Sequence, residues 1–215
     1  GFDAVWIEGE HGPIDFGDLP DLTRACDLWG ITSLARVNLN LPGVIYRTLD
    51  CGAQGITVPH VNTAEEAQAV VNAAKFHPIG ERGSFSSRQS IGVDNFFTKA
   101  NDETMVTVMI EDIIAVKNLP DILKVDNIDV FFVASGDLSQ SMGYPGQRNH
   151  PDVEAVIDES IAKIVKAGRV PGVVGNDASI EDYISKGVRF FQVNWTEWLT
   201  AGANAFLKKI AESST

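Results

Sequence analysis

The chain has 215 residues and a mass of 23.3 kDa, the size of one domain. Hydrophobic residues make up 44% and charged residues 21%, which excludes a disordered chain. Seventeen Lys and Arg against 29 Asp and Glu leave a net charge of −12, which argues against nucleic acid and anionic membrane partners, since both call for a basic face.

The chain opens on an apolar run over 4–8 that reads as a strand and ends in Glu8, Glu10 and His11. A helix pattern over 18–29 stops at Gly30, and a second strand over 33–37 ends in Arg36 and Asn38. A helix over 42–51 stops at Gly52, followed by a strand over 55–59 and His60. Thr63 caps a helix over 64–74, and an irregular stretch over 77–97 exceeds an ordinary connection. A strand over 106–111 ends in Glu111 and Asp112 and leads into a helix over 112–123. The longest apolar run, 130–134, reads as a buried strand ending in Ser135-Gly136-Asp137. A helix over 152–167, a strand over 172–175, a helix over 179–185, a strand over 190–194 and a helix over 196–210 complete the chain.

Seven strand–helix units in unbroken alternation leave an open doubly wound sheet or a (β/α)8 barrel. No Gly-x-Gly-x-x-Gly follows the first strand, so a dinucleotide fold loses its main support. A single α/β barrel domain over 1–215 is expected. A barrel needs eight strands, so a further strand is expected upstream of Gly1. Cys26 and Cys51 show no disulfide or metal spacing and read as reduced thiols of a cytoplasmic protein. No run approaches the length of a membrane span.

Chemistry in such a barrel sits at the C-terminal ends of the strands. Glu111 and Asp137 offer oxygen ligands for a hard divalent cation such as Mg²⁺ or Mn²⁺. Arg36 suits a carboxylate or a carbonyl oxygen gaining charge, and His11 is the first candidate base. His60, His77 and His150 are read as structural or surface residues. No lysine stands at these strand ends, which favours a metal route over an imine route.

Several runs resemble, in order, the HpcH/HpaI family of metal-dependent pyruvate aldolases. They are Ile7-Glu8-Gly9-Glu10-His11-Gly12-Pro13, Leu34-Ala35-Arg36-Val37, Leu49-Asp50-Cys51-Gly52-Ala53-Gln54-Gly55 and Val58-Pro59-His60-Val61. Gly80-Glu81-Arg82-Gly83, Met109-Ile110-Glu111, and Gly136-Asp137-Leu138-Ser139 with Met142-Gly143 continue the series. The resemblance implies a (β/α)8 TIM barrel of the phosphoenolpyruvate/pyruvate type whose first strand is missing here. It implies a divalent metal ion (Mg²⁺, Mn²⁺ or Co²⁺) on Glu111 and Asp137, and Arg36 on the substrate's C2 oxygen. It assigns proton transfer to His11 with Glu8 as its partner. It places Asp50 near the site or reaching a neighbouring subunit's. Ser135, Gly136 and Asp137 would cradle the carboxylate of a 2-oxo acid. A homo-hexamer, a trimer of dimers exchanging the last helix, is also implied.

Three departures stand out against the family pattern: Glu8 in place of Asp, Ser135-Gly136 in place of Pro-Ala, and Met109 in place of Gln. The expected activity is reversible cleavage of a 4-hydroxy-2-oxo acid to pyruvate and an aldehyde. The alternatives are a CoA-thioester hydroxy-acid lyase on the same scaffold and a 2-oxo-acid-binding barrel without turnover.

Overall fold

A computed structural model describes residues 1–213. Seven parallel strands pair in chain order: β1 (Ala4–Glu8), β2 (Thr32–Arg36), β3 (Gly55–Val58), β4 (Met105–Ile110), β5 (Val130–Val133), β6 (Pro171–Gly175) and β7 (Phe190–Val193). Among the described residues β7 does not pair with β1, so the barrel is nearly closed. The helices are α1 (Leu19–Trp29), α2 (Pro42–Asp50), α3 (Ala64–Ala74), α4 (Phe96–Glu103), α5 (Ile113–Ile122), α6 (Ser135–Ser141), α7 (Pro151–Lys166), α8 (Ile180–Ser185) and α9 (Trp195–Ser213). No helix among the described residues is long and apolar enough to cross a membrane.

The strands are apolar on both faces because both faces are covered. On β4 and β5, Val106, Val108, Ile110, Phe131 and Val133 face outward onto the helices. The alternate residues Met109, Val130 and Phe132 fill the barrel with Trp6 and Phe190. Phe132 sits between those rings, with centroids 5.4 Å from Trp6 and 6.0 Å from Phe190. The same alternation carries Glu8 and Glu111, two residues beyond Trp6 and Met109, to the inner rim.

The expected caps form. The Thr63 hydroxyl accepts the Glu66 N–H, and Gly30 ends α1 in the left-handed region at φ 64°. Two helices were not expected from the sequence. α4 lies at the end of the long irregular stretch, where Phe97 packs edge-on against Phe76 at 4.8 Å. α6 starts directly at Ser135, which turns the fifth strand end into a helix start. Cys26 is buried, Cys51 is half-buried, and both are free thiols.

Candidate active site

Arg36 anchors the site. The register of the first two strands sets Glu8 directly opposite Arg36. The Glu8 Oε2 accepts from Arg36 Nε at 2.8 Å and lies 2.7 Å from Nη2, while Arg36 Nη1 lies 2.8 Å from Glu10 Oε2. Arg36 Nη1 also donates to the Met109 sulfur at 4.0 Å, so of the five guanidinium N–H donors these four contacts leave one, on Nη2, for a ligand. The remaining Glu8 oxygen accepts the backbone N–H groups of Glu10 and His11, at 2.8 and 3.0 Å. Burial pushes the Glu8 carboxyl up, but Arg36 and the two backbone donors outweigh it and hold the pKa below the usual value.

The expected pairing of Glu8 with the His11 ring is therefore not what the structure shows. Glu8 reaches His11 through its backbone, because Arg36 occupies the carboxylate. The ring instead lies with Nε2 3.7 Å from Glu10 Oε2, and its side chain is 66% exposed. Glu10, absent from the expected site set, is the central acid here. It is only 9% exposed and touches Arg36, His11 and His60. Burial raises its pKa against the pull of those cations.

Glu111 is fully buried at the end of β4. One carboxylate oxygen accepts the His60 N–H at 2.7 Å, and Oε2 has no hydrogen-bond partner among the described residues. Burial pushes this carboxyl up to about 7, partly offset by the His60 N–H and ring and reinforced by the negative charges of Asp137 and Glu10. His60 also belongs to the site, contrary to its structural reading. It takes a left-handed turn (φ 52°) beyond β3 and sets Nδ1 3.0 Å from Asp112 and 3.5 Å from Glu111. Burial lowers its pKa, but the hydrogen bond to Asp112 and the charges of Glu111, Asp112 and Glu10 raise it overall.

A cleft of about 620 Å³ opens over this rim. Glu8, His11, Arg36, Ser135, Gly136 and Asp137 all line it, while Glu111 does not. Ser135 and Gly136 open α6, whose first turn leaves backbone N–H groups without intrahelical partners. Asp50 does not reach the cleft. It ends α2, which returns the chain to the N-terminal end of the barrel, and there it accepts Arg82 Nη2 at 2.7 Å. Arg148, unremarked in the sequence, lines the cleft from the loop after α6.

A family model described as HpcH/HpaI aldolase/citrate lyase matches residues 1–198. The chain belongs to this family. A 4-hydroxy-2-oxo-heptane-1,7-dioate aldolase of Klebsiella pneumoniae is 36% identical over 100% of this chain and 83% of its own length. A 2-keto-3-deoxy-L-rhamnonate aldolase of the same organism is 37% identical over 90% of this chain and 74% of its own. Among solved structures, a family protein from Burkholderia cenocepacia superposes with a TM-score of 0.91 at 27% identity, over 98% of this chain and 86% of that one. The citrate synthase SbnG superposes at 0.87 and 28% identity, over 100% and 86%.

The family implies a divalent cation, and the residues here fit one. A hard cation takes oxygen donors, and Glu111 offers a buried oxygen with no partner, beside the charge of Asp137. Two carboxylates suffice where water and substrate complete the shell. No group of three or more His, Cys, Asp or Glu side chains poised for a metal occurs among the described residues.

Proposed function

We propose that this chain is a class II pyruvate aldolase that cleaves a 4-hydroxy-2-oxo acid between C3 and C4 to pyruvate and an aldehyde. The partnerless buried oxygen of Glu111 beside Asp137, at the same rim as Arg36, carries this reading. Glu111 and Asp137 would hold Mg²⁺, Mn²⁺ or Co²⁺, which when bound supplies Lewis-acid neutralisation of charge developing on the pyruvate half.

The remaining steps fall to the chain's own side chains. Arg36, fixed by Glu8 and Glu10, offers its remaining N–H and its charge to the C2 oxygen as that oxygen gains charge. His11 takes the C4 hydroxyl proton, with Glu10 beside its ring to stabilise the imidazolium. The C3–C4 electron pair passes to the pyruvate half, the aldehyde leaves, and the proton returns to C3. No lysine lines the cleft among the described residues, so an imine route lacks its nucleophile there. The exposed apolar face of α9, with Trp195, Leu199 and Phe206, supports a homo-oligomer exchanging that helix. Asp50 would then act across such an interface.

The test is pyruvate release from a 4-hydroxy-2-oxo acid with Mg²⁺ or Mn²⁺, repeated in EDTA. Cation-dependent release is expected. Release that persists undiminished in EDTA contradicts the metal route, and no release with any cation favours the CoA-thioester lyase.

A further inference from the structure

The cleft is lined by two cations among the described residues, Arg36 and Arg148, and only the first is explained above. The charge of Arg36 is matched by Glu8 and Glu10. That of Arg148 is not: no acid among the described residues pairs with it, although the chain carries a net charge of −12. Its guanidinium lies against Gly136. A Cβ added there would meet Arg148 Nη2 at 3.5 Å and Nε at 3.6 Å. Gly136 precedes Asp137, so the unpaired cation stands next to the proposed pyruvate subsite and faces the same space.

The segment that carries Arg148 is braced. The Tyr144 N–H donates to the Ser139 carbonyl at 2.8 Å, and the Gln147 N–H to the Tyr144 carbonyl at 3.0 Å. The Tyr144 and His150 rings stack at 3.8 Å, and the Tyr144 hydroxyl donates to Asp152 at 2.6 Å. The Arg148 side chain is exposed and carries no counter-charge on this braced loop, so its guanidinium stands available to an anion entering the cleft. The cleft of about 620 Å³ also holds more than a three-carbon acid, leaving room for a substrate tail.

We infer that Arg148 selects 2-oxo acids whose far end carries an anion, a carboxylate or a phosphate, by a charge-assisted fork on that group. This rests on the aldolase reading for the placement of the pyruvate half. Arg36 aside, whose charge Glu8 and Glu10 match, the other charged groups on the cleft wall, Glu8, Asp137 and Glu197, are acids and repel such a tail, so Arg148 decides its acceptance.

Isothermal titration in Mg²⁺ with three non-cleavable probes tests this: 2-oxoheptanoate, 2-oxoheptanedioate and a 2-oxo acid of equal length ending in phosphate. Wild type is expected to bind at least one doubly charged probe about fivefold or more tighter than the monoacid, with the advantage shrinking as salt rises. The tighter of the two names the anion. R148Q is expected to erase the advantage and leave the monoacid unchanged, and R148K to keep part of it.

Equal binding of all probes by wild type, no binding of any, or an equal loss for all in R148Q each overturns the inference. Pyruvate release is measured in parallel. Discrimination without release sinks the aldolase reading and leaves Arg148 as an anion selector; release without discrimination does the reverse.

Discussion

Replacing Glu111 by Gln should stabilise the cation-free protein while ending its cation binding. Glu111 is fully buried, and its carboxyl is pushed from the ordinary 4.5 up to about 7. Holding the proton that far costs the ionised fold about 3 kcal/mol at pH 8 relative to the unfolded chain. Because the folded value is raised, the favourable contribution is whole below 4.5 and is lost as pH rises toward 7. Gln keeps an oxygen for the His60 N–H and carries no charge, so its stability lacks this slope. At pH 8 in EDTA the variant should melt about 6–12 °C above wild type, and the two should converge near pH 4.5. Added Mn²⁺ should raise the wild-type midpoint and leave the variant unmoved. Thermal unfolding across pH 4.5–8.5, with and without Mn²⁺, reads all three effects. A variant that melts with or below wild type at pH 8 in EDTA refutes the claim that Glu111 is an uncompensated buried acid awaiting a cation.

Arg36→Ala should cut the rate of pyruvate release by about 10²–10³, the loss of one oxyanion donor. It should also destabilise the fold at neutral pH by stranding Glu8 and Glu10, and near-full activity would contradict the role given to Arg36. His11→Ala should lower kcat by about 10²–10⁴ with little change in melting temperature, since the ring is largely exposed; a kcat within twofold of wild type contradicts it. Gly9→Ala should lower both melting temperature and activity, because its Cβ would stand 2.6 Å from the Arg36 carbonyl oxygen and push β1 off β2. Unchanged activity in that variant would mean the Glu8–Arg36 register does not matter.

The barrel was legible because strands covered on both faces must be apolar throughout, and turns at Gly30 and a cap at Thr63 punctuate them in chain order. α6 was hidden: Ser135–Ser141 is short and polar, with no apolar period. α4 was hidden for another reason, since its Phe96 and Phe97 are held by distant Phe76 rather than by a local pattern. The strand-end acids were legible as a set, but their partners were not. Glu8 and Glu10 stand two residues apart, and only the folded structure, with Glu8 in register with Arg36, shows that Arg36 takes both while Glu8 binds the Trp6 indole N–H rather than the His11 imidazole. His60 enters the site through a single left-handed residue after β3, which nothing in Pro59-His60-Val61 announces. Asp50 was placed by resemblance alone, and α2 carries it to the other end of the barrel. Arg148 lies in a polar loop whose sequence gives no sign that it folds back over Gly136.

The central claim is that this rim makes and protonates the pyruvate enolate with a cation on Glu111 and Asp137. Exchange of the pyruvate methyl protons in D₂O, followed by NMR, tests it without knowing the aldehyde. Exchange is expected with Mg²⁺ or Mn²⁺, and should fall to the uncatalysed rate in EDTA and in Asp137→Asn. Exchange that continues in EDTA, or none with cation present while pyruvate binds, would contradict it.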